Sequence, residues 1–303
     1  MGPTGRAERR ADTLARMVAL LEEAAARGAR LAVFPELAFT PFFPRWPPVA
    51  EADLAPLFER TMPNDAVRPL FDRAWNLDVG LCVGFAEELG DGRTRFDSAI
   101  AVGPDGRALD IARKVHLPGT VEPIQDSAQR LDRRLFAPGP HGFRAFRGPT
   151  DWHHPTLGVL VGTDRRWPEA WRCLGLAGAE LVLVPSGSAA RRPYGSESRD
   201  HAGRAFAATL LAQANALANG TWAVHAARAG MEDGVGQLGG SLIVHPEGVV
   251  VAQARTDGDE VVVATADLDA CRWARRDLLR DGGERRPEHY RPLVEPPASG
   301  PPP

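Results

Sequence analysis

Three polar features of the sequence could together perform acyl transfer. Glu36 follows the apolar run 31–34, Lys114 follows a predicted hairpin, and the segment 161–169 follows another apolar run and opens a helix. A carboxylate can act as a general base, and an ammonium group can stabilise a developing oxyanion. A turn between a strand and a helix can present a nucleophile at the helix N-terminus. The combination therefore predicts an acyl-transfer site.

Lys114 is the single lysine among the 36 basic residues of the chain, and all the others are arginine. A lysine carries a compact ammonium group with rotatable donors, whereas arginine carries a wide planar fork. In a chain that uses arginine for nearly every cation, a retained lysine indicates a position that needs an ammonium group. The alternative is a surface lysine kept by chance.

The apolar pattern also predicts the elements that position these residues. Alternation and short apolar runs predict strands at 31–34, 79–85, 157–162, 181–184, 221–227 and 260–265, and hairpins over 97–112 and 241–254. Helical spacing predicts helices over 7–27, 66–76 and 202–218, and one that begins near Pro168. We therefore expect one α/β domain over 1–292, whose strand ends meet in a shared cleft, followed by a Pro-rich tail over 293–303.

The composition is that of a globular protein. Of the 303 residues, 44% are apolar and 25% are charged, which excludes a disordered chain, a fibre and a disulfide scaffold. The net charge of −3 gives no basic field for nucleic acid or an anionic membrane. The three cysteines are widely spaced and lack metal-ligand spacing. We expect a cytoplasmic protein without a metal, a cofactor, a nucleic-acid partner or a membrane span.

Five stretches give the chain a resemblance to a known family. They are FPELAFTPFFPRW (34–46), ARKVHLPG (112–119), DRRWPEAWRCLGLAGAELVLVPS (164–186), GGSLIVHPEGVVVA (239–252) and RPEHY (286–290). The sequence resembles the nitrilase (carbon–nitrogen hydrolase) superfamily, and within it the N-carbamoyl-D-amino acid amidohydrolases. The resemblance implies a four-layer α-β-β-α sandwich that pairs into a homodimer or homotetramer. It also implies hydrolysis of linear, non-peptide C–N bonds in a small carboxylate or amide, with release of ammonia.

The family uses a Cys-Glu-Lys triad, and the resemblance assigns two of its members to residues of this chain. Glu36 matches the general base, and Lys114 matches the lysine that binds the oxyanion. Glu122 matches a second glutamate, which positions the substrate nitrogen and the lysine in many members.

The resemblance assigns a further group of residues to substrate binding. Arg165 and Arg166 match a pair that holds the substrate carboxylate, for which forked guanidinium groups are well suited. The alternative is that this pair is a solvated helix entry with Asp164 as its N-cap. His116 matches a histidine near the cleft, and Thr163 lies next to the position of the nucleophile.

The nucleophile itself does not match, because Gly162 stands at the position of the family's cysteine. Glycine has no side chain that could form a thioester. Thr163 is adjacent, but neighbouring side chains at a strand end point apart. Cys173 lies about three helical turns further on and is expected to be a small core residue. Glu36 could activate water directly, which forgoes covalent catalysis.

Two other departures concern the fold and the cleft. Family members begin with a buried strand before the first helix, so we expect a fold that lacks this first strand. Asp97 and Arg130 stand where the subfamily usually shows Asn and His. The sequence thus leaves two hypotheses. One is an amidohydrolase strongly impaired by the loss of its cysteine. The other is a non-catalytic protein of this fold that binds a small carboxylate or acts as an assembly partner.

Overall fold

Two β-sheets packed face to face form the centre of the protein, as seen in a computed structural model that describes residues 1–195, 197–278 and 285–295. The first sheet contains four strands in the order in which they follow one another in the chain: β1 (Leu31–Val33), β2 (Gly80–Glu88), β3 (Arg95–Val102) and β4 (Ala108–Arg113). β1 and β2 are parallel, while β2, β3 and β4 are antiparallel.

The second sheet contains six strands and has parallel strands at its centre. They are β5 (Ala145–Arg147), β6 (Thr156–Val159), β7 (Leu181–Ser186), β8 (Trp222–Ala227), β11 (Leu242–Val244) and β12 (Val250–Gln253). Their order is β12-β11-β8-β7-β6-β5, with β6, β7 and β8 parallel and the outer pairs antiparallel. Two short strands, β9 (Met231–Glu232) and β10 (Val235–Gly236), form a separate antiparallel pair.

Helices cover the outer faces of both sheets, which gives four layers. α1 (Arg10–Ala26) and α3 (Arg68–Asn76) pack on the first sheet, and α5 (Pro168–Leu176) and α6 (Glu197–Asn219) pack on the second. The remaining helices are the short α2 (Glu51–Leu54) and α4 (Asp132–Leu135), and α7 (Asp269–Leu278). α1 buries Leu14, Met17 and Leu21 at helical spacing, so one apolar stripe faces the core.

The predicted α-β-β-α architecture is confirmed, and one predicted strand is wrong. Residues 261–267 form neither helix nor strand. The run 260–265 has the composition of a strand, but no described strand hydrogen-bonds to it, and β1 lies at an edge of its sheet with β2 as its partner. An apolar run without a ladder partner does not form a strand. Ahead of α1, residues 1–9 contain no strand.

Strand ends position the polar residues that the sequence singled out. Glu36 follows β1, Lys114 follows β4, and a 3-10 turn formed by Gly162–Arg166 follows β6 and leads into α5. In the described part of the chain, no helix combines the length and the apolar character needed to cross a membrane. Residues 296–303 of the predicted tail lie outside the described residues.

Candidate active site

Lys114 lies at the centre of a buried group of three carboxylates. Its Nζ atom donates hydrogen bonds to Glu36 Oε1 at 2.5 Å, Asp97 Oδ2 at 2.9 Å and Asp132 Oδ1 at 2.7 Å. All four side chains are fully buried. Asp97 lies on β3 and Asp132 begins α4, so four separate segments of the chain meet at this ammonium group. Glu36 and Lys114, placed together by the sequence argument, are in direct contact.

Arg130 supplies a second cation to the same group. Its Nε and Nη2 atoms donate to the two oxygens of Asp132 at 2.8 and 2.6 Å, and Nη2 lies 3.4 Å from Glu36 Oε1. Burial raises the pKa of Asp132, but Arg130 and Lys114 outweigh it and hold this pKa at about 2. Burial opposes ionisation of Glu36 as well, and the same two cations bring its pKa below the ordinary value. Both carboxylates are therefore anionic at neutral pH.

Asp97 has the opposite electrostatic balance. Burial raises its pKa well above the ordinary value, and the nearby charge of Glu36 adds to this effect beyond what Lys114 can offset. Its Oδ1 atom is buried and accepts no hydrogen bond. The raised pKa favours the neutral carboxylic acid at Asp97, whose O–H would donate to the carboxylate of Glu36. The two carboxylates of Glu36 and Asp132 then face two cations, Lys114 and Arg130.

The carboxylate of Glu36 occupies the space that a side chain at position 162 would need. Gly162 has φ +53°, and a Cβ atom built on it would lie 2.5 Å from Glu36 Oε1 and 2.6 Å from its Cδ. Glu36 is held there by the backbone N–H of Gly187, which donates to Oε2 at 2.6 Å. The left-handed conformation also disfavours any residue other than glycine. Glycine is thus the residue that fits position 162 in this arrangement.

Arg165 and Arg166 lie at the end of the turn that begins at Gly162. The Arg165 side chain is buried and donates to the Gly162 carbonyl at 2.8 Å and to Ser188 Oγ at 3.3 Å. Burial, together with the charge of the other arginine, lowers the pKa of Arg165 to about 9. The Arg166 residue is exposed overall, although its guanidinium group is partly desolvated, and it forms no ion pair with a described residue. The pair therefore offers two forked donors beside Glu36.

His116 lies beside this turn and is held by Asp164. The buried carboxylate of Asp164 accepts the backbone N–H and ring Nδ1 of His116, both at 2.8 Å. The imidazole ring stacks on Trp167 with a centroid distance of 4.6 Å. These contacts fix the orientation of the ring. Thr163 is half-buried between Gly162 and Asp164.

Comparison with known proteins places this arrangement in a family. Residues 1–276 match the family model for carbon-nitrogen hydrolases. The chain belongs to the carbon–nitrogen hydrolase family. It is 30% identical to N-carbamoylputrescine amidase of Arabidopsis thaliana over 289 residues, which cover 91% of this chain and 87% of that protein. It is 29% identical to citrullinase of Francisella tularensis, with 94% of this chain and 93% of that protein covered.

The fold of this carbon–nitrogen hydrolase also matches solved structures. A carbon-nitrogen hydrolase from Helicobacter pylori superposes with a TM-score of 0.81 and 25% sequence identity, covering 97% of both chains. An amidase from Nesterenkonia sp. superposes with a TM-score of 0.71 at 23% identity, with 97% of this chain and 94% of that chain covered, which supports the fold alone.

The prediction for Glu122 is corrected by the structure. Its side chain is 85% exposed, and its nearest basic group is Arg134 at 3.9 Å. The loop that follows Lys114 carries Glu122 to the surface before the chain returns to the cleft, so that Asp132 contacts the lysine instead. The sequence argument therefore missed Asp132 and the role of its partner Arg130. The pattern Arg130-Leu131-Asp132, a cation and an anion two residues apart, was the available signal.

The three carboxylate oxygens are close enough to share a cation, since they lie within 4.8 Å of one another. In this carbon–nitrogen hydrolase the cation that contacts all three is the ammonium group of Lys114. The residues present therefore form an acid, base and ammonium cluster. Such a cluster can take up or release a proton at Glu36, and a carbonyl oxygen bound nearby would face the positive charge of Lys114.

Proposed function

We propose that this carbon–nitrogen hydrolase binds a small N-carbamoyl amino acid and cleaves its C–N bond far more slowly than a cysteine-dependent relative does. By the resemblance, the amino acid belongs to the D series. One observation carries the proposal: the Glu36 carboxylate fills the space in which a side chain at Gly162 would attack the substrate. A covalent intermediate at this position is therefore not part of the proposed chemistry.

The remaining groups can support a slower reaction through water. Glu36 would accept a proton from a water molecule that attacks the carbamoyl carbon, and Lys114 would stabilise the resulting oxyanion after releasing one of its three carboxylate acceptors. As the oxyanion collapses, the C–N bond would break, Glu36 would return the proton to the leaving nitrogen, and ammonia would depart. Loss of a catalytic nucleophile costs about 10⁶ in turnover in a well-studied hydrolase, and binding and electrostatic stabilisation account for the residual rate. We expect the turnover of this protein to be lower than that of a cysteine-dependent relative by a similar factor.

Two features support a ligand with a carbamoyl group and a carboxylate. The relative from Arabidopsis thaliana is named for an N-carbamoyl substrate, and the relative from Francisella tularensis is named for an amino acid. Arg165 and Arg166 offer guanidinium forks without a carboxylate partner among the described residues. Such forks bind carboxylates through paired hydrogen bonds.

The three cysteines of the chain do not replace the missing nucleophile. Cys82 lies in the apolar core between the sheets, and burial raises the pKa of its thiol. Cys271 is buried beside Trp222, and burial raises its pKa to about 11. Cys173 was predicted to be a small core residue, but this is wrong, because it is exposed on α5, away from the contacts that Glu36 and Lys114 make. A thiolate at any of these positions is poorly placed for the proposed substrate.

The test compares ammonia release by the wild type with that by Gly162→Cys and Gly178→Cys, using N-carbamoyl-D- and N-carbamoyl-L-alanine. Gly178 is a matched control, because it also has positive φ, at +89°, but has no atom within 4 Å of its Cβ position. We expect a very low rate for the wild type and for both variants, because a Cβ atom at position 162 would lie 2.5 Å from Glu36 Oε1. A large gain for Gly162→Cys with the D enantiomer would contradict the claim that the Glu36 carboxylate fills this space. A wild-type turnover in the ordinary range of about 1–10³ s⁻¹ would contradict the proposal.

Ligand binding is measured separately, so that a protein that binds the ligand but turns it over slowly can be distinguished from one that does not bind it. A ligand at about 100 times its Kd should stabilise the folded protein by about 2.7 kcal/mol, which is visible as a higher Tm. We expect this stabilisation from N-carbamoylalanine in the wild type. Its absence, together with undetectable turnover, would contradict ligand binding at this site.

We also propose that the protein forms a homodimer through α5 and α6. These helices expose large apolar side chains, namely Leu176, Phe206, Leu210 and Leu217. Exposed apolar groups on neighbouring elements are typical of an interaction surface. Light scattering of the purified protein tests this, with Phe206→Arg as the variant expected to be a monomer.

A further inference from the structure

Arg165, Arg166 and Arg204, which we call the arginine cluster, carry positive charge that the described side chains do not pair. Arg165 is only 7% exposed, and its acceptors are the Gly162 carbonyl and Ser188 Oγ. Both acceptors are uncharged. A buried guanidinium group without a counter-ion is costly, because burial removes its hydration. Its surroundings therefore favour an anionic ligand.

Arg204 reaches the same place from a different element. It lies on α6, and its Nε atom donates to the carbonyl of Ala189 at 3.0 Å. Ala189 follows Ser188, so Arg165 and Arg204 bind consecutive residues of the turn after β7. α6 also packs against the turn that carries Arg165 and Arg166. The arginine cluster is thus assembled from two elements around one turn.

The positive charge of Arg204 is only partly balanced by the charged groups around it. Burial lowers the pKa of Arg204, and the charge of Arg192 lowers it further, while Asp200 offsets only part of this effect. After burial, Arg204 is also the largest cause of the lowered pKa of Arg166, which is about 10. Neither Arg166 nor Arg204 forms an ion pair with a residue that the structure describes. The arginine cluster therefore carries more positive charge than one carboxylate would neutralise.

We propose that the arginine cluster binds a dianion, so that the ligand of this protein is an N-carbamoyl amino acid with a second carboxylate in its side chain. The inference rests on the proposed function, since it specifies the ligand of the same cleft. Arg165 and Arg166 would hold one carboxylate through forked hydrogen bonds. Arg204 would bind the second carboxylate, because it lies on α6 beside the same turn and forms no ion pair with a residue that the structure describes.

The test measures binding of N-carbamoylaspartate and N-carbamoylasparagine by calorimetry at low ionic strength, using both enantiomers. These ligands have nearly the same shape and differ by one negative charge. The proteins compared are the wild type, Arg204→Gln, Arg204→Lys and the control Arg68→Gln, which removes an exposed arginine from α3 on the other sheet. Thermal unfolding of each variant checks that it is folded.

We expect the wild type to bind the aspartate derivative about tenfold or more tightly than the asparagine derivative, as for a hydrogen bond between charged groups. Arg204→Gln should abolish this preference, Arg204→Lys should retain part of it, and Arg68→Gln should not change it. Equal binding of the two ligands by the wild type would overturn the dianion inference while leaving the proposed function intact. Binding of neither ligand would overturn both, and an unchanged preference in folded Arg204→Gln would overturn the role of Arg204.

Discussion

Asp97→Asn and Asp132→Asn should have opposite pH dependences, although both remove a carboxyl group that contacts the same ammonium group. Each aspartate accepts a hydrogen bond from Lys114 Nζ, at 2.9 Å for Asp97 and 2.7 Å for Asp132. Both are fully buried. They differ in charge state, because Asp132 pairs with Arg130 and Asp97 faces Glu36. The pair of variants therefore isolates the protonation state of each aspartate.

Asp132 stabilises the protein in its ionised form. Its pKa falls from an ordinary value of 3.8 to about 2 in the folded protein. At about 1.4 kcal/mol per pH unit, this shift contributes about 2 kcal/mol to the free energy of unfolding at neutral pH. The contribution is present above the unfolded pKa and disappears as the pH falls through the folded value. Asp132→Asn should therefore be destabilised by at least this amount at pH 7, with the difference shrinking toward pH 2.

Asp97 should behave in the reverse way. Its pKa is raised in the folded protein, so the folded state keeps a proton that the unfolded chain loses above the ordinary value of 3.8. The free energy of unfolding then falls as the pH rises above that value, by up to about 1.4 kcal/mol per pH unit, until the folded pKa is reached. Asparagine is neutral at all these pH values and keeps an oxygen for Lys114. Asp97→Asn should therefore become more stable, relative to the wild type, as the pH rises.

Urea unfolding of the three proteins between pH 2 and pH 8 measures these free energies directly. The difference between Asp97→Asn and the wild type should move in favour of the variant with rising pH. An infrared band of a protonated carboxylic acid should also be present in the wild type at pH 7 and absent in Asp97→Asn. If Asp97→Asn instead loses stability with rising pH, as Asp132→Asn does, Asp97 is ionised and the charge balance described for Lys114 is incorrect.

Three further variants probe other parts of the site. Gly162→Ala should lower the free energy of unfolding by about 1–3 kcal/mol, because φ is positive at this position and its Cβ would meet the Glu36 carboxylate; a fully stable variant, as measured by urea unfolding, would contradict this. Lys114→Met should cost about 3–5 kcal/mol at pH 7, because it leaves buried anions without their cation, and calorimetric unfolding should detect it. His225→Gln should reduce the loss of unfolding free energy as the pH falls from 6.5 to 3. Burial lowers the pKa of His225 from 6.5 to about 3, so the unfolded chain takes up a proton at a higher pH than the folded protein does. If the unfolding free energy of the variant falls with pH as steeply as that of the wild type, His225 does not cause the acid destabilisation.

The sequence predicted the layers of the fold and the meeting of Glu36 and Lys114. These predictions succeed because short apolar runs and amphipathic stretches determine which faces are buried, and because strand ends converge. The run 260–265 has the composition of a strand but forms none, since a strand also requires a neighbour for its backbone groups. Composition alone cannot show whether such a neighbour exists.

The rest of the site could not be predicted from spacing. Glu122 lies in an irregular loop, and Asp132, ten residues further on, begins α4 at the end of that loop. Only the path of the loop determines which of the two residues reaches Lys114. The position of Glu36 over Gly162 likewise depends on a hydrogen bond from Gly187, which is distant in sequence. The raised pKa of Asp97 follows from its burial and from the charge of Glu36 beside it, which no local motif encodes.

The central claim is that the chain acts without a covalent intermediate, because the Glu36 carboxylate occupies the side-chain space of Gly162. Intact-protein mass spectrometry tests it most directly, on samples acid-quenched during incubation with N-carbamoylalanine and N-carbamoylaspartate. The account predicts that the mass of the wild type stays unchanged at every time point, under conditions in which the ligand raises its Tm. A carbamoyl adduct on any side chain of the wild type would contradict the account.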